Sequence, residues 1–169
     1  SADHTAKLWN AETGNCLQTL HGHGGRVTSA SFSPDGLSLL TTCDDGIARL
    51  WNVASSENFC SLHGHEGAVS SATFSPDGAL VATASWDCTA RLWKVANGDC
   101  MATLEGHDEW VMSVAFSPDG AVVLTTSDDD TAKLWNTDDG RCFLTLTGHA
   151  GTVCCGAFSP SPILPTTLC

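Results

Sequence analysis

Histidine, serine and aspartate recur together along the chain in a way that could suggest a serine hydrolase. A serine nucleophile, a histidine base and an orienting carboxylate within reach of one another can support acyl transfer. The set recurs three times, however, and a catalytic site is normally built once. We therefore interpret it as a structural network. Its members are His23 and Asp45; His65, Ser85 and Asp87; and His107, Ser127 and Asp129.

Two histidine pairs could bind a metal ion, but neither pattern persists. His21-x-His23 and His63-x-His65 have no counterpart in the later copies of the set. One histidine of each pair already belongs to the repeated network. The sequence also has no glycine-rich phosphate loop followed by lysine. We therefore expect no metal, no nucleotide and no other cofactor.

A period of 42 residues organises the elements that carry this network. Gly-His pairs, Leu-Trp pairs and the segment FSPDG all recur at that step. Ser-Pro-Asp-Gly favours a tight turn, because Pro presets φ, Asp bonds nearby backbone and Gly accepts positive φ. Each period holds four short strands, and the inner strands are apolar on both faces. The sequence therefore predicts an all-β chain of four-stranded antiparallel sheets.

These motifs at this spacing resemble the WD-repeat β-propeller family, from Ser1 to about Phe158. The family's Asp after Trp is replaced by Asn or Lys, and the last unit departs from the pattern after Phe158. The resemblance implies half a blade at 1–22, WD repeats at 23–64, 65–106 and 107–148, and the start of a further blade with a divergent tail at 149–169.

The number of repeats bears on whether the propeller closes. The N-terminal end carries the third and fourth strands of a blade, near 5–9 and 16–20, and the C-terminal end carries a first strand, near 152–158. Four blades make too tight a ring for this blade type. We expect an open arc of an incomplete propeller. Self-association through the bare blade faces is the alternative, because exposed apolar faces favour association.

The resemblance also gives the repeated polar residues a role. In the family, the His, Asp and Ser of each repeat bond with one another and with an indole N–H, pinning strands to turns. The tryptophans in these positions are Trp51, Trp93 and Trp135. Cys43 stands where the other repeats have Ser, and a thiol is a weak donor.

Residues that break the period are free to recognise a partner. Trp86 and Trp110 lie outside it, and family members bind partners on the propeller rim to which both positions belong. Trp and Met are enriched at interfaces. Carried over by position, the candidate rim comprises Arg26, Thr28, Asp44, Ala68, Ser70, Trp86, Trp110, Met112, Asp128, Thr152 and Cys154.

Composition restricts the partner and the compartment. The net charge is −12 with seven basic residues, so phosphate-driven nucleic-acid binding is disfavoured and a basic or neutral protein partner is favoured. No apolar run approaches the roughly 20 residues of a membrane helix. Nine cysteines, an odd number, indicate reduced thiols and hence a cytoplasmic location, with the nucleus as the alternative.

The sequence therefore favours a protein-interaction scaffold that binds a protein or peptide on its rim and is not an enzyme. One alternative is a sensing or regulatory segment of a larger NTPase-type signalling protein. The other is a hydrolase, which would need a nucleophile that is not repeated.

Overall fold

Three four-stranded antiparallel sheets form the body of the molecule in a computed structural model that describes residues 1–160 and 167–168. Each sheet keeps its strands in chain order, and we number the sheets as blades. Blade 1 contains β3 (Val27–Phe32), β4 (Ser38–Cys43), β5 (Ala48–Asn52) and β6 (Asn58–Leu62). Blade 2 contains β7 (Val69–Phe74), β8 (Leu80–Ser85), β9 (Thr89–Lys94) and β10 (Cys100–Glu105). Blade 3 contains β11 (Val111–Phe116), β12 (Val122–Ser127), β13 (Ala132–Asn136) and β14 (Cys142–Leu146).

Two shorter sheets lie at the ends of this array. β1 (Ala6–Trp9) pairs with β2 (Cys16–Leu20), and β15 (Ala157–Phe158) pairs with β16 (Thr167–Leu168). The two end sheets are not joined to each other, so the arc is open. The part of the chain described by the structure contains no helix. The predicted fold class, an open arc of antiparallel β-propeller blades, is confirmed.

The C-terminal strand is shorter than expected. The sequence predicted a first strand near 152–158, but only Ala157–Phe158 is a strand. The Val153 amide donates instead to the Ser127 carbonyl oxygen at 3.0 Å, which attaches this segment to the end of β12 in blade 3. The segment therefore lies beside blade 3 without forming the full inner strand.

The SPDG segments form the same turn between the first and second strands of every blade. In blade 1 the Ser33 hydroxyl donates to Asp35 Oδ1 at 2.5 Å, and the Gly36 amide donates to the Ser33 carbonyl at 2.9 Å. Gly36 has φ of 71°, a region that side chains with a Cβ disfavour. The turn is therefore held by contacts among its own residues rather than by contacts between blades.

The hydrophobic core lies between blades. One cluster joins Ala82, Leu92 and Leu104 of blade 2 to Val123 and Trp135 of blade 3, and a similar cluster joins blade 1 to blade 2. Both faces of a central sheet are thus covered, which explains why the inner strands are apolar on both sides. Trp93 and Trp135 each pack against the preceding blade, and Trp51 packs with Leu20 of the N-terminal sheet, so the 42-residue period is also the period of packing.

Candidate functional site

A continuous chain of hydrogen bonds runs through the interior of blade 2. The indole Nε1–H of Trp93 donates to Thr83 Oγ1 at 2.9 Å, and Thr83 Oγ1 lies 2.7 Å from His65 Nε2. His65 Nδ1 lies 2.7 Å from Asp87 Oδ2. Because a carboxylate oxygen can only accept, His65 donates from Nδ1–H to Asp87, and the tautomer with its proton on Nδ1 leaves Nε2 to accept from the Thr83 hydroxyl.

Blade 3 repeats this arrangement atom for atom. His107 Nδ1 lies 2.7 Å from Asp129 Oδ2, and His107 Nε2 lies 2.7 Å from Thr125 Oγ1. The Trp135 indole donates to Thr125 Oγ1 at 2.8 Å. Burial lowers the pKa of His107, which favours its neutral form. Burial by itself would raise the pKa of Asp129, but hydrogen bonds from Thr131 and His107 lower it to about 2. The network therefore holds a neutral imidazole and an ionised carboxylate.

The hydroxyl that joins His to Trp differs from the one expected. The sequence analysis placed Ser85 and Ser127 in that role, whereas Thr83 and Thr125 occupy it. The Ser85 hydroxyl instead accepts from the Asp87 amide at 3.1 Å, and Ser127 does the same for Asp129. These serines therefore shape the turn that presents the aspartate. Thr41 completes the series in blade 1, and its 42-residue spacing from Thr83 was visible in the sequence.

Blade 1 connects the same positions differently. His23 Nε2 contacts Thr41 Oγ1 at 2.8 Å, but His23 Nδ1 has no hydrogen-bond partner in the described ranges. Asp45 forms an ion pair with Arg49 at 2.8 Å instead of bonding His23, contrary to the expected pairing. Burial would raise the pKa of Asp45, but hydrogen bonds from Arg49 and the Gly24 amide lower it to about 2.

The accessibility of these groups bears on the hydrolase alternative. Ser85 and Ser127 are completely buried, and so are Thr83 and Thr125. A nucleophile must be open to its substrate, and these hydroxyls are already engaged with backbone, imidazole or indole groups. The geometry therefore fits a scaffold network better than an acyl-transfer site.

The two tryptophans that break the period meet at the boundary between blades 2 and 3. Trp86, in the turn between β8 and β9, stacks on Trp110, which directly precedes β11. Their ring centroids are 4.5 Å apart and their planes differ by 9°. Trp110 is 44% exposed and Trp86 is half-buried. The pair therefore forms one aromatic surface that spans two blades.

The corresponding boundaries carry polar pairs in place of this stack. At the boundary between blades 1 and 2, Asp44 replaces Trp86 and bonds Arg26 of its own blade at 3.2 Å. Beyond blade 3, the Thr152 hydroxyl donates to Asp128. The structure therefore places Arg26, Asp44, Asp128 and Thr152 on the same rim as the tryptophans, but in contacts with one another.

Thr28 and Ser70, which the sequence analysis placed on the partner-binding rim, each bond the next blade through the side-chain hydroxyl. Thr28 Oγ1 donates to the Val69 carbonyl at 2.6 Å, and Ser70 Oγ donates to the Val111 carbonyl at 2.7 Å. Each hydroxyl thus ties the inner strand of one blade to the next blade. Met112 occupies the same position in blade 3, where it is half-buried and has no hydroxyl to offer. Ala68 is half-buried and Cys154 is exposed.

No group of three or more potential metal ligands is found within residues 1–160 and 167–168. Over the same residues, no helix has the length and apolar character needed to cross a bilayer.

Three segments of the chain match a known protein family, and they are spaced like the blades. The family profile "WD domain, G-beta repeat" (WD40) matches residues 14–52, 56–94 and 98–136. Each matched segment contains the outer strand of one sheet and the first three strands of the next. Each sequence repeat is therefore divided between two neighbouring sheets.

Three relatives illustrate the similarity. A 45-residue segment is 51% identical to nuclear distribution protein PAC1 of Arthroderma benhamiae and covers 27% of this chain and 10% of that protein. WD repeat-containing protein 37 of Homo sapiens is 51% identical over 45 residues, which are 27% of this chain and 9% of that protein. Coatomer subunit beta'-1 of Arabidopsis thaliana is 51% identical over 35 residues, which are 21% of this chain and 4% of that protein.

The matched segment thus spans a tenth or less of each relative's length. The family profile, in contrast, matches more than half of this chain in three consecutive segments. The chain therefore belongs to the WD40 repeat family.

Proposed function

We propose that the chain is a protein-interaction platform that docks a protein or peptide on the rim containing Trp86 and Trp110. WD40 proteins are generally interaction scaffolds. The observation that carries the proposal is the stacked Trp pair, because it departs from the repeat and presents a large aromatic surface to solvent. Exposed aromatic clusters of this kind are typical of interface hot spots.

The polar contacts of the neighbouring rim positions support the same assignment. Asp44 and Asp128 are engaged with Arg26 and Thr152, which leaves the aromatic stack as the large apolar contact surface of this rim. The net charge of −12 favours a basic or neutral partner. The high content of thiols favours a reducing compartment, so we place the protein in the cytoplasm or the nucleus.

The test compares the wild-type chain with a Trp86→Ala/Trp110→Ala double variant. Partners are captured by each chain, identified and purified, and their affinities are then measured by calorimetry. We expect the double variant to lose more than about 2 kcal/mol of binding free energy while it keeps its β-sheet circular dichroism.

Trp9 provides a matched control. It is 58% exposed but lies on β1, at the N-terminal end of the arc. Trp9→Ala removes an exposed indole outside the rim and should leave partner affinity unchanged. Full affinity in a folded double variant would refute rim docking, and equal losses in all variants would show that the indoles act through general hydrophobic adhesion.

A further inference from the structure

The Trp86–Trp110 stack has one buried and one open side. The rings lie nearly parallel, so the two faces within the stack are hidden from solvent. Trp86 is the inner member, and its buried indole Nε1–H has no acceptor among the residues that the structure describes. Trp110 is the outer member of the pair, because 44% of its surface is exposed. The outer face of Trp110 is therefore the surface on which a ligand group can stack.

Two exposed carboxylates, Asp108 and Glu109, immediately precede Trp110 in the chain. Burial raises the pKa of the neighbouring Cys88 thiol, and Glu109, Asp87 and the adjacent acidic groups raise it further. A thiolate is thus disfavoured at this turn first by burial and then by the negative field of these carboxylates. The same field attracts a cation to the indole face.

Blade 1 contains an ion pair on this rim. There the Arg26 guanidinium bonds Asp44, the residue at the position of Trp86, at 3.2 Å. In blade 2 the position of Arg26 is taken by Ala68, so that blade supplies no guanidinium at this position. The acidic aromatic site at the next boundary is therefore free to take a guanidinium from outside.

We propose that the outer face of Trp110, together with Asp108 and Glu109, binds an arginine side chain of the docking partner. This inference rests on the proposed docking function of the rim. Arginine fits because its guanidinium is planar and weakly hydrated, stacks on an indole and can bond a carboxylate at the same time. A lysine ammonium is compact and more strongly hydrated, so it gains less from the same surface.

The test uses N-acetyl-arginine amide, N-acetyl-lysine amide and N-acetyl-citrulline amide as probes, titrated into the ¹⁵N-labelled chain. Citrulline matches arginine in shape but carries no charge. The indole N–H signals of Trp86 and Trp110 are assigned by Trp→Phe variants and followed by NMR. We expect arginine to shift both signals saturably, at least about fivefold more tightly than citrulline, with lysine between them.

Two controls make the result specific. The indole signal of Trp9 reports stacking on an exposed tryptophan elsewhere and should not saturate over the same range. Asp108→Asn/Glu109→Gln should weaken arginine binding severalfold, whereas Asp138→Asn/Asp139→Asn, which neutralises two exposed carboxylates in another loop, should not. Equal responses of Trp9 and Trp110, equal binding of citrulline and arginine, or unchanged binding in the Asp108/Glu109 variant would each overturn the inference.

The outcome is separable from that of the proposed function. If arginine amide fails to bind while the double Trp variant still loses its protein partner, rim docking stands and the arginine subsite is excluded. If arginine amide binds at Trp110 while the double Trp variant keeps its partner, the subsite stands and docking occurs elsewhere.

Discussion

Blade 1 and blade 2 place the same four residue types at the same positions and yet bond them differently. In blade 2, His65 is held between Thr83 and Asp87, and every polar atom of the imidazole has a partner. In blade 1, the His23 imidazole hydrogen-bonds Thr41 and not Asp45, and Asp45 is paired with Arg49. Shared motif residues therefore do not guarantee a shared hydrogen-bond network.

The two blades differ two residues after the aspartate. In blade 2, the amide and the hydroxyl of Thr89 both donate to Asp87 Oδ1, which leaves Oδ2 for His65. The corresponding residue of blade 1 is Ile47, which donates only through its amide. Arg49 then bonds both carboxylate oxygens of Asp45.

The presence of a cation does not by itself explain the difference. Blade 2 has Arg91 at the position of Arg49, yet Asp87 bonds His65. Blade 3 has Lys133 at this position. There the Thr131 hydroxyl donates to Asp129 Oδ1, as the Thr89 hydroxyl donates to Asp87 Oδ1 in blade 2. We infer that the missing hydroxyl at residue 47 allows the arginine to displace the imidazole.

The largest effect that separates the two blades should come from removing the central hydroxyl. Thr83→Val deprives the Trp93 indole of its acceptor and His65 of its donor in a buried site, so we expect a loss of about 2–3 kcal/mol in the free energy of unfolding. Thr41→Val should cost about 1 kcal/mol less, because His23 is not anchored by a carboxylate and can adjust. Urea unfolding of both variants checks this, and equal losses would argue against a cooperative network in blade 2.

A medium effect should come from the serine that shapes the aspartate turn. Cys43 Sγ accepts the Asp45 amide at 3.5 Å, whereas the Ser85 hydroxyl accepts the Asp87 amide at 3.1 Å. Cys43→Ser should therefore raise the free energy of unfolding by about 1 kcal/mol, the typical net value of one such bond. The reverse exchange, Ser85→Cys, should lower it by a similar amount. Both variants are measured in urea, and a destabilised Cys43→Ser would show that packing of the sulfur outweighs the hydrogen bond.

The smallest effect tests the cause of the rewiring directly. Ile47→Thr supplies the missing hydroxyl to Asp45 Oδ1 and should release Oδ2 to His23, with a gain of about 0.5 kcal/mol. The diagnostic measurement is the His23 Nδ1–H resonance, which should become protected from exchange with solvent. Thr89→Ile is the matched reverse variant and should expose the corresponding proton of His65. Unchanged imidazole signals in both variants would assign the rewiring to some other residue.

Sequence reasoning identified the fold and most of the residues that matter, but it chose the wrong hydroxyl for the network. Ser85 was predicted to join His65 to Trp93 because it lies two residues before Asp87 in the repeated motif. Thr83 lies inside an apolar strand, where a threonine is ordinary. Position in the strand decides the outcome, since residues 83 and 85 point to the same side but only the former lies opposite the indole and the imidazole.

The rim was predicted from residues that depart from the period. Trp86 and Trp110 are two such residues, and their rings stack although 24 positions separate them in the sequence. Departure from the period does not distinguish side chains that face solvent on the rim from side chains that hydrogen-bond the next blade. Thr28 and Ser70 were grouped with the rim, yet their hydroxyls bond the next blade.

The sequence by itself determined the turns, the four-strand unit and its period, because these depend on local backbone preferences and on the short apolar runs between the turns. Only the tertiary structure decided which hydroxyl joins His to Trp, that Asp45 holds Arg49, and that two tryptophans from different blades stack. Those outcomes depend on which atoms approach within bonding distance after the blades pack, and linear spacing does not encode that distance.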